Sequence, residues 1–172
     1  IVAFDLDNPH DFTGDFYKHV VHEDVEFKDD SDEEDVWDRV KIIAKNKEGK
    51  KVGYAVLDMT MMPEYEFNTS DEDSSEYSDE ELEKHFPDEY SIAKLEHLEV
   101  YPDFKQMGYG KELMDAAVKH VKSRGYKTMY LLASPIGVNK IDLDVLTNFY
   151  KNYGFEIIKD YGNSRSMVSQ ID

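Results

Sequence analysis

The residues best suited to chemistry lie in residues 98–111, where a strand-like segment runs into a glycine-containing turn. Gly108 and Gly110 are separated by one residue, and an apolar, helix-like segment follows them. Glycine lets the backbone approach an anion closely, and the free N–H groups of a helix N-terminus point at such a ligand. Lys105 and Lys111 add positive charge beside the turn. The pattern therefore predicts a site for an anionic ligand, although many helices simply begin with glycine.

Two regular elements must position this turn. Ser91–Val100 reads as a strand, and Gly110–Arg124 reads as a helix that Gly125 is placed to end. The helix prediction rests on apolar residues that recur on one face, namely Leu113, Met114, Ala117, Val118 and Val121.

The N-terminal part predicts further elements of both kinds. Ile1–Asp7 reads as a first strand, and the apolar spacing within Asp11–His22 suits an amphipathic helix. The acidic run Asp29–Asp38 is compatible with a second helix or with a solvated loop. Val40–Lys45 and Val52–Met59 read as strands of a hairpin.

Pro63–Tyr90 is a long connection with 12 acidic residues and one lysine. Connections of this length inside a domain are usually lids or disordered segments. Ser78–Glu81 has the pattern of a capping box that starts a short helix. We therefore expect an acidic insertion at about 63–90.

The remaining chain predicts a strand, a helix and two closing strands. These are Thr128–Ala133, a helix from Asp142 or Asp144 through Asn152, Phe155–Asp160 and Arg165–Gln170. The fold class expected is α/β, with a mixed, mostly antiparallel central sheet flanked by helices in a single domain over 1–172.

Composition narrows the function classes. A chain of 172 residues fits one domain, and the absence of cysteine excludes disulfides, thiolate zinc ligands and thiol nucleophiles within it. His19 and His22 are three residues apart without accompanying ligands, so no metal site is expected. Without a long apolar run or a secretory leader, neither a membrane span nor export is expected, and a cytoplasmic protein is the default.

The net charge of −18 is unevenly distributed. Residues 1–90 hold 28 acidic and 9 basic residues, a balance of −19, whereas residues 91–172 hold 10 and 11, a balance of +1. The uneven charge suggests that the two halves meet different partners, although surface charge often serves solubility alone. Direct nucleic-acid binding is not expected, because it depends largely on Lys and Arg at phosphates.

Two motifs resemble those of the GNAT superfamily of acetyltransferases. The turn resembles the family's acetyl-coenzyme A signature, an Arg or Gln followed by x-x-Gly-x-Gly/Ala, with Lys105 standing at the Arg or Gln position. Leu146–Phe155 resembles the family's late helix, in which Phe/Leu-Tyr precedes x-x-x-Gly-Phe. The Asn usual seven residues before that tyrosine is Leu143 here, so Asn139 is the substitute candidate.

The resemblance implies acetyl-coenzyme A as co-substrate, without a metal, and direct attack by an amine in a ternary complex. It places the cofactor at the end of the strand, in the turn and at the substitute asparagine: Leu98, Val100, Lys105, Gln106, Met107, Gly108, Tyr109, Gly110, Lys111 and Asn139.

The resemblance also implies catalytic roles. The Leu98 N–H maps to the oxyanion donor, Tyr150 to the acid for the leaving thiolate, and Glu96 is the candidate base. Tyr150 is alternatively a core aromatic, since Phe149 and Tyr153 flank it. Glu96 is alternatively a surface carboxylate paired with Lys94, because simple alternation puts Lys94, Glu96, Leu98 and Val100 on one strand face.

The acceptor is expected to be cationic, because the family places the acidic half at the acceptor site. A polyamine, an aminoglycoside or a lysine-rich protein would suit it. The alternative is a GNAT-fold interaction protein whose acidic surface binds a basic partner or mimics nucleic acid. Oligomeric state is not readable from the sequence.

Overall fold

An eight-stranded mixed sheet runs through the computed structural model, which describes residues 2–3, 19–28, 36–67, 78–88, 91–105, 107–136 and 140–171. The order is β2-β3-β4-β5-β6-β8-β7, and β1 pairs separately with β5. Among the strands of the described residues, only β1–β5 and β5–β6 are parallel pairs, which confirms the predicted fold class. The strands are β1 Val2–Ala3, β2 His19–Lys28, β3 Val36–Lys45, β4 Lys51–Asp58, β5 Ile92–Val100, β6 Thr128–Ala133, β7 Glu156–Asp160 and β8 Arg165–Gln170.

The described residues form four α-helices. These are α1 Pro63–Phe67, α2 Asp79–His85, α3 Tyr109–Ser123 and α4 Leu143–Lys151, and a short 3₁₀ turn lies at Pro102–Phe104. Both α3 and α4 begin within one residue of a predicted boundary. The α4 cap is Asp142, whose side chain accepts a hydrogen bond from the Asp144 N–H, so the earlier of the two predicted caps is the one used.

The two faces of the sheet carry separate cores. The inner face, covered by α3 and α4, holds the larger one: Leu95 and Leu98 of β5 pack there with Leu113 and Met114 of α3. The outer face carries a smaller core in which Phe67 of α1 and residues of α2 pack on β5, β6 and β8. The helices of the insertion therefore cover the outer face of β5, β6 and β8.

The insertion contains the predicted capping box. Ser78 accepts a hydrogen bond from the Glu81 N–H, and the Glu81 side chain accepts one from the Ser78 N–H. Leu82 and Phe86 then enter the outer core. A helix of seven residues gains little stability from its own hydrogen bonds, so this packing and the cap must hold it in place.

Two N-terminal predictions need correction. The helix expected over 11–22 is wrong at His19–His22, which begin β2, and its remainder lies outside the described residues. Ten residues of β2 pair in register with β3, and this long-range pairing overrides the local helical spacing. The acidic run ends in β3 rather than in a helix, since β3 begins at Val36. Of the predicted first strand, Val2–Ala3 is a strand, and the rest is outside the described residues.

No helix in the described ranges is long and apolar enough to cross a membrane.

Candidate functional site

The N-terminus of α3 lies at the end of β5 and has an unusual cap. Gly108 adopts the left-handed conformation, φ 75° and ψ 13°, and no side chain caps the helix there. The Glu112 N–H donates to the Gly108 carbonyl at 3.1 Å. The N–H groups of Tyr109, Gly110 and Lys111 precede that bond and have no acceptor within the helix. The turn therefore presents three backbone donors at the positive end of a 15-residue helix.

β5 and β6 separate beside this turn. Their parallel pairing runs from Ile92 to Leu95 of β5 and goes no further, while β6 continues alongside β8. The Tyr101 N–H donates to the Val52 carbonyl on the β4 side at 2.9 Å. Since N–H directions alternate along a strand, the Leu98 N–H points away from β4, toward the edge that β6 has left. Along this edge β1 pairs with Leu98 and Glu99.

A β-bulge in β5 changes which residues share a face. Leu57 of β4 pairs with Leu95 and Val56 pairs with His97, so Glu96 is the extra residue. Leu98 and Val100 consequently lie in the inner core. The prediction of one face for Lys94, Glu96, Leu98 and Val100 is therefore wrong, because a bulge reverses the alternation and no sequence period records it.

Glu96 lies on the outer face. Its carboxylate accepts a hydrogen bond from Arg39 of β3 at 3.2 Å, and both side chains are about a quarter to a third exposed. The predicted ion pair between Glu96 and Lys94 does not form. Lys94 instead donates to Glu66 of α1 and lies 5.9 Å from the ring centroid of Tyr130.

His97 belongs to a cluster that sequence reasoning did not single out. Its ring stacks on Tyr54 of β4 with centroids 4.9 Å apart, and its Nε2 lies 3.1 Å from a carboxylate oxygen of Glu99. The pKa of Tyr54 is raised by burial, and next by its hydrogen-bonded partner Glu99. The cluster lies on the outer face beside Glu96 because the bulge turns His97 outward. Sequence gave only a weak signal for it, a histidine and a glutamate two residues apart in a strand.

Tyr150 of α4 is completely buried in the inner core, the same core that contains Leu98 and Tyr109. Its ring meets Phe149 and Phe155 edge to face, with centroids 5.3 and 5.8 Å away. Burial raises the pKa of Tyr150 well above its ordinary value, and Tyr153 adds to the effect. Its phenol is therefore held in the protonated form, which is the form that can donate a proton.

Tyr153 joins the end of α4 to α3. Its hydroxyl donates to Asp115 at 3.0 Å and lies 3.3 Å from the Lys111 carbonyl. The Lys111 ammonium in turn pairs with Asp115 at 2.9 Å. Burial, followed by Asp115, raises the pKa of Tyr153 strongly. This network fixes the start of α3 relative to α4, and it offsets part of the charge that Lys111 brings to the turn.

The first helical residue of α3 contains a buried polar atom. Tyr109 is 2% exposed, and within the described residues its hydroxyl has no hydrogen-bond partner. Burial, followed by Glu112, raises its pKa. An unsatisfied buried hydroxyl costs about 1–3 kcal/mol, so a ligand that supplied an acceptor here would recover part of that cost.

The remaining predicted residues divide into three groups. Lys105 and Met107 are half-buried in the connection between β5 and α3, and Met107 packs against the inner core. Gln106 and Asn139 lie outside the described residues. Within the described ranges, no group of three or more His, Asp or Glu side chains is arranged to hold a metal ion.

Comparisons with known proteins concern the family and the fold of the chain. The sequence matches the family described as "Acetyltransferase (GNAT) family" over residues 10–155. The fold resembles a PaiA N-acetyltransferase from Thermoplasma acidophilum, solved in complex with coenzyme A, with 17% identity and a TM-score of 0.51 over 77% of this chain and 60% of that one. It also resembles a protein from Pyrococcus horikoshii, with 17% identity and a TM-score of 0.52 over 77% of this chain and 65% of that one.

This chain thus spans less than two thirds of the length of both structures. No curated protein sequence matches it. Likeness at such low identity concerns the fold alone, and the match to the family carries the assignment.

Proposed function

Because the chain belongs to the acetyltransferase (GNAT) family, we propose that it transfers an acetyl group from acetyl-coenzyme A to a primary amine. The observation that carries the proposal is the α3 N-terminus, where left-handed Gly108 leaves three backbone N–H groups without acceptors in the helix. Such a terminus suits the pyrophosphate of coenzyme A. Lys105 adds a cation in the adjoining connection.

The residues present fit the co-substrate in a second respect. Tyr109 brings a buried hydroxyl without a partner to the first turn of α3, among the described residues. The same inner core contains Leu98 and Tyr150, the two residues proposed to act on the thioester. The pyrophosphate turn and these two residues therefore adjoin one core, whereas Glu96 lies on the outer face of the sheet.

Direct transfer requires a C–N bond to form as the C–S bond breaks. We propose that the Leu98 N–H donates to the developing oxyanion, a role that requires β1, which pairs with Leu98 along this edge, to leave the N–H accessible. Glu96 is proposed to take the proton released by the amine, either directly or through water. Tyr150 is proposed to give a proton to the leaving sulfur, and burial keeps its phenol in the protonated form.

The proposed acceptor is a cationic amine such as a polyamine, an aminoglycoside or a lysine-rich protein. The support is electrostatic, since residues 1–90 carry a balance of −19. Glu80, Glu81 and Glu83 of α2 are exposed on the insertion that covers part of the outer face. Complementary charge raises encounter rates and disfavours anionic competitors.

Replacing Gly108 by valine tests the cofactor site. A β-branched residue is strongly disfavoured at positive φ and would obstruct backbone approach to the turn. We expect Gly108→Val to abolish measurable acetyl-coenzyme A binding by calorimetry. The control is Gly162→Val, which imposes a similar strain at φ 88° in the β7–β8 hairpin, where a Cβ would meet nothing within 4 Å. Unchanged affinity in a folded Gly108 variant would reject the site.

A screen of amines for thiol release then separates the two classes of function. Acetylation of any cationic amine supports the enzyme. Binding of a basic protein without acetylation of any amine, together with no acetyl-coenzyme A binding, would support the interaction protein instead.

A further inference from the structure

A lysine-rich turn joins β3 to β4 in this otherwise acidic half. Residues 45–51 contain four lysines and one glutamate, a charge of +3, so they hold four of the nine basic residues of the half whose balance is −19. We call residues 45–51 the basic turn. A cluster of positive charges within an otherwise acidic half indicates an anionic ligand at this turn.

The basic turn is built to be rigid. The Asn46 carboxamide oxygen accepts hydrogen bonds from the backbone N–H groups of Glu48 and Lys50, at 3.1 and 3.0 Å. Backbone hydrogen bonds also join Asn46 to Lys50 and Gly49 to Asn46, at 2.9 Å each. A turn closed in this way presents its lysines from fixed backbone positions, so less entropy is lost when they bind a ligand.

The basic turn lies at the same end of the sheet as the proposed pyrophosphate site. Gly53 pairs with Val100, the last residue of β5, and a Cβ at Gly53 would lie 2.4 Å from the Glu99 carbonyl oxygen. The Lys50 ammonium lies 5.3 Å from the ring centroid of Phe104, in the connection between β5 and α3. Phe104 is four residues before Gly108, which bounds their Cα separation at about 14 Å.

The individual lysines differ in what they contact. Lys51 and Lys41 lie over the Tyr54 ring of the outer face, with ammonium-to-centroid distances of 5.2 and 4.9 Å. Lys50 lies over Phe104, which packs against the inner core near α3. Lys47 is exposed at the tip of the turn. Lys47 and Lys50 are therefore the pair best placed to reach a ligand that extends from the α3 N-terminus.

We infer that Lys47 and Lys50 bind the ribose 3′-phosphate of coenzyme A, an inference that rests on the proposed function. Coenzyme A carries this phosphate on the ADP portion that adjoins its pyrophosphate. The inference requires an ADP unit anchored at α3 to extend along the connection that contains Phe104 toward the basic turn. Glu48 and Asp103 are the exposed anions nearest in sequence to this pair and Phe104, and they leave the turn and its neighbour with a net positive charge. The basic turn would thereby select coenzyme A over its 3′-dephospho form.

The test compares acetyl-coenzyme A with acetyl-3′-dephospho-coenzyme A by calorimetry at low salt. Wild type is expected to bind the first about tenfold more tightly, the factor that corresponds to one charge-assisted contact worth about 1.4 kcal/mol. In Lys47→Gln/Lys50→Gln that preference should fall to within about twofold, with affinity for the dephospho form nearly unchanged. The control is Lys122→Gln/Lys127→Gln, which removes equal charge at the C-terminal end of α3 and in the connection that follows it, and Lys122 is ~21 Å along the helix from Gly108.

Each other outcome has a distinct meaning. If the basic-turn variant loses affinity equally for both ligands, a general electrostatic effect replaces the 3′-phosphate contact as the explanation. If the control variant loses its preference for acetyl-coenzyme A as much as the basic-turn variant does, the same explanation applies. Unchanged binding in the basic-turn variant would reject any role for the turn. If wild type binds neither ligand, the proposed function itself fails, and the inference fails with it.

Discussion

At the scale of single residues, burial decides what Tyr150 can do. A phenol enclosed by Phe149 and Phe155 is easier to keep protonated than to ionise, because a phenolate would lose its hydration. The same burial serves both a core aromatic and a general acid, so geometry alone does not separate the two roles. Removal of the hydroxyl without loss of the ring separates them.

We expect Tyr150→Phe to lower kcat by at least about tenfold while acetyl-coenzyme A affinity stays nearly constant, since general acids contribute ~10²–10⁴ in rate. The raised pKa also predicts that wild-type kcat shows no decline assignable to Tyr150 up to about pH 10, because the proton-donating form persists through that range. Tyr153→Phe is the matched control: it removes a hydroxyl bonded to Asp115 and should act mainly on stability. Turnover within about twofold of wild type in Tyr150→Phe would assign that side chain to packing.

At the scale of elements, local sequence patterns predicted the helices and strands that depend on neighbouring residues. They missed the features that depend on pairing between distant strands. Helix α3, the capping box of α2 and the strands β6 and β8 follow from local period and cap residues, and the structure has them at or within a residue of the predicted bounds. Strand β2 depends on ten pairs with β3 that are distant in sequence. The bulge at Glu96 depends on the register of β4, which no property of β5 alone specifies.

That bulge has a consequence for the proposed chemistry. The turn and its glycines were predictable because their residue types are constrained by backbone conformation. The identity of the base was not predictable from the sequence, because the bulge brings His97 to the outer face beside Glu96 and so changes which side chains lie together there. Glu96, bonded to Arg39, and His97, bonded to Glu99, are therefore both candidates for the base.

We expect Glu96→Gln to lower kcat/KM by about tenfold or more, because the amide keeps the shape but is not a base. His97→Gln serves as the comparison, and a change of less than about threefold is expected. The pH profile adds an independent readout, since loss of a base removes the acidic limb of kcat/KM. If His97→Gln instead removes that limb and Glu96→Gln keeps it, the base is the imidazole oriented by Glu99.

At the scale of the whole molecule, the charge differs between the two halves of the sequence and also between two regions within the acidic half. The basic turn and the α3 N-terminus lie at one end of the sheet, where an anionic co-substrate is proposed to bind. Acidic residues dominate the rest of residues 1–90 and the insertion. This arrangement suits the proposed transfer of an acetyl group from a polyanionic donor to a polycationic acceptor, because each ligand is attracted to its own region and repelled from the other.

The proposed acidic acceptor surface is best tested by removing the same number of negative charges from the insertion in one variant and from a different segment in another. Neutralising Glu72, Asp73, Glu76, Glu80 and Glu83 to Gln or Asn should raise KM for a polyamine or lysine-rich peptide several-fold and leave acetyl-coenzyme A affinity nearly unchanged. Glu81 is retained because its side chain caps α2. Turnover of the variant should also respond less to added salt than wild type, since exposed charges are screened over about 10 Å at 0.1 M.

The control neutralises Asp29, Asp30, Asp32, Glu33 and Glu34, which changes the net charge equally at a different segment. A rise in KM confined to the insertion variant locates acceptor recruitment there, because a change in overall charge alone would affect both variants alike. Equal effects in the two variants would assign recruitment to the overall field of the protein. If KM and the salt response are unchanged in the insertion variant, the negative charge of the insertion contributes only to solubility. The proposal of a cationic acceptor would then lose its main support.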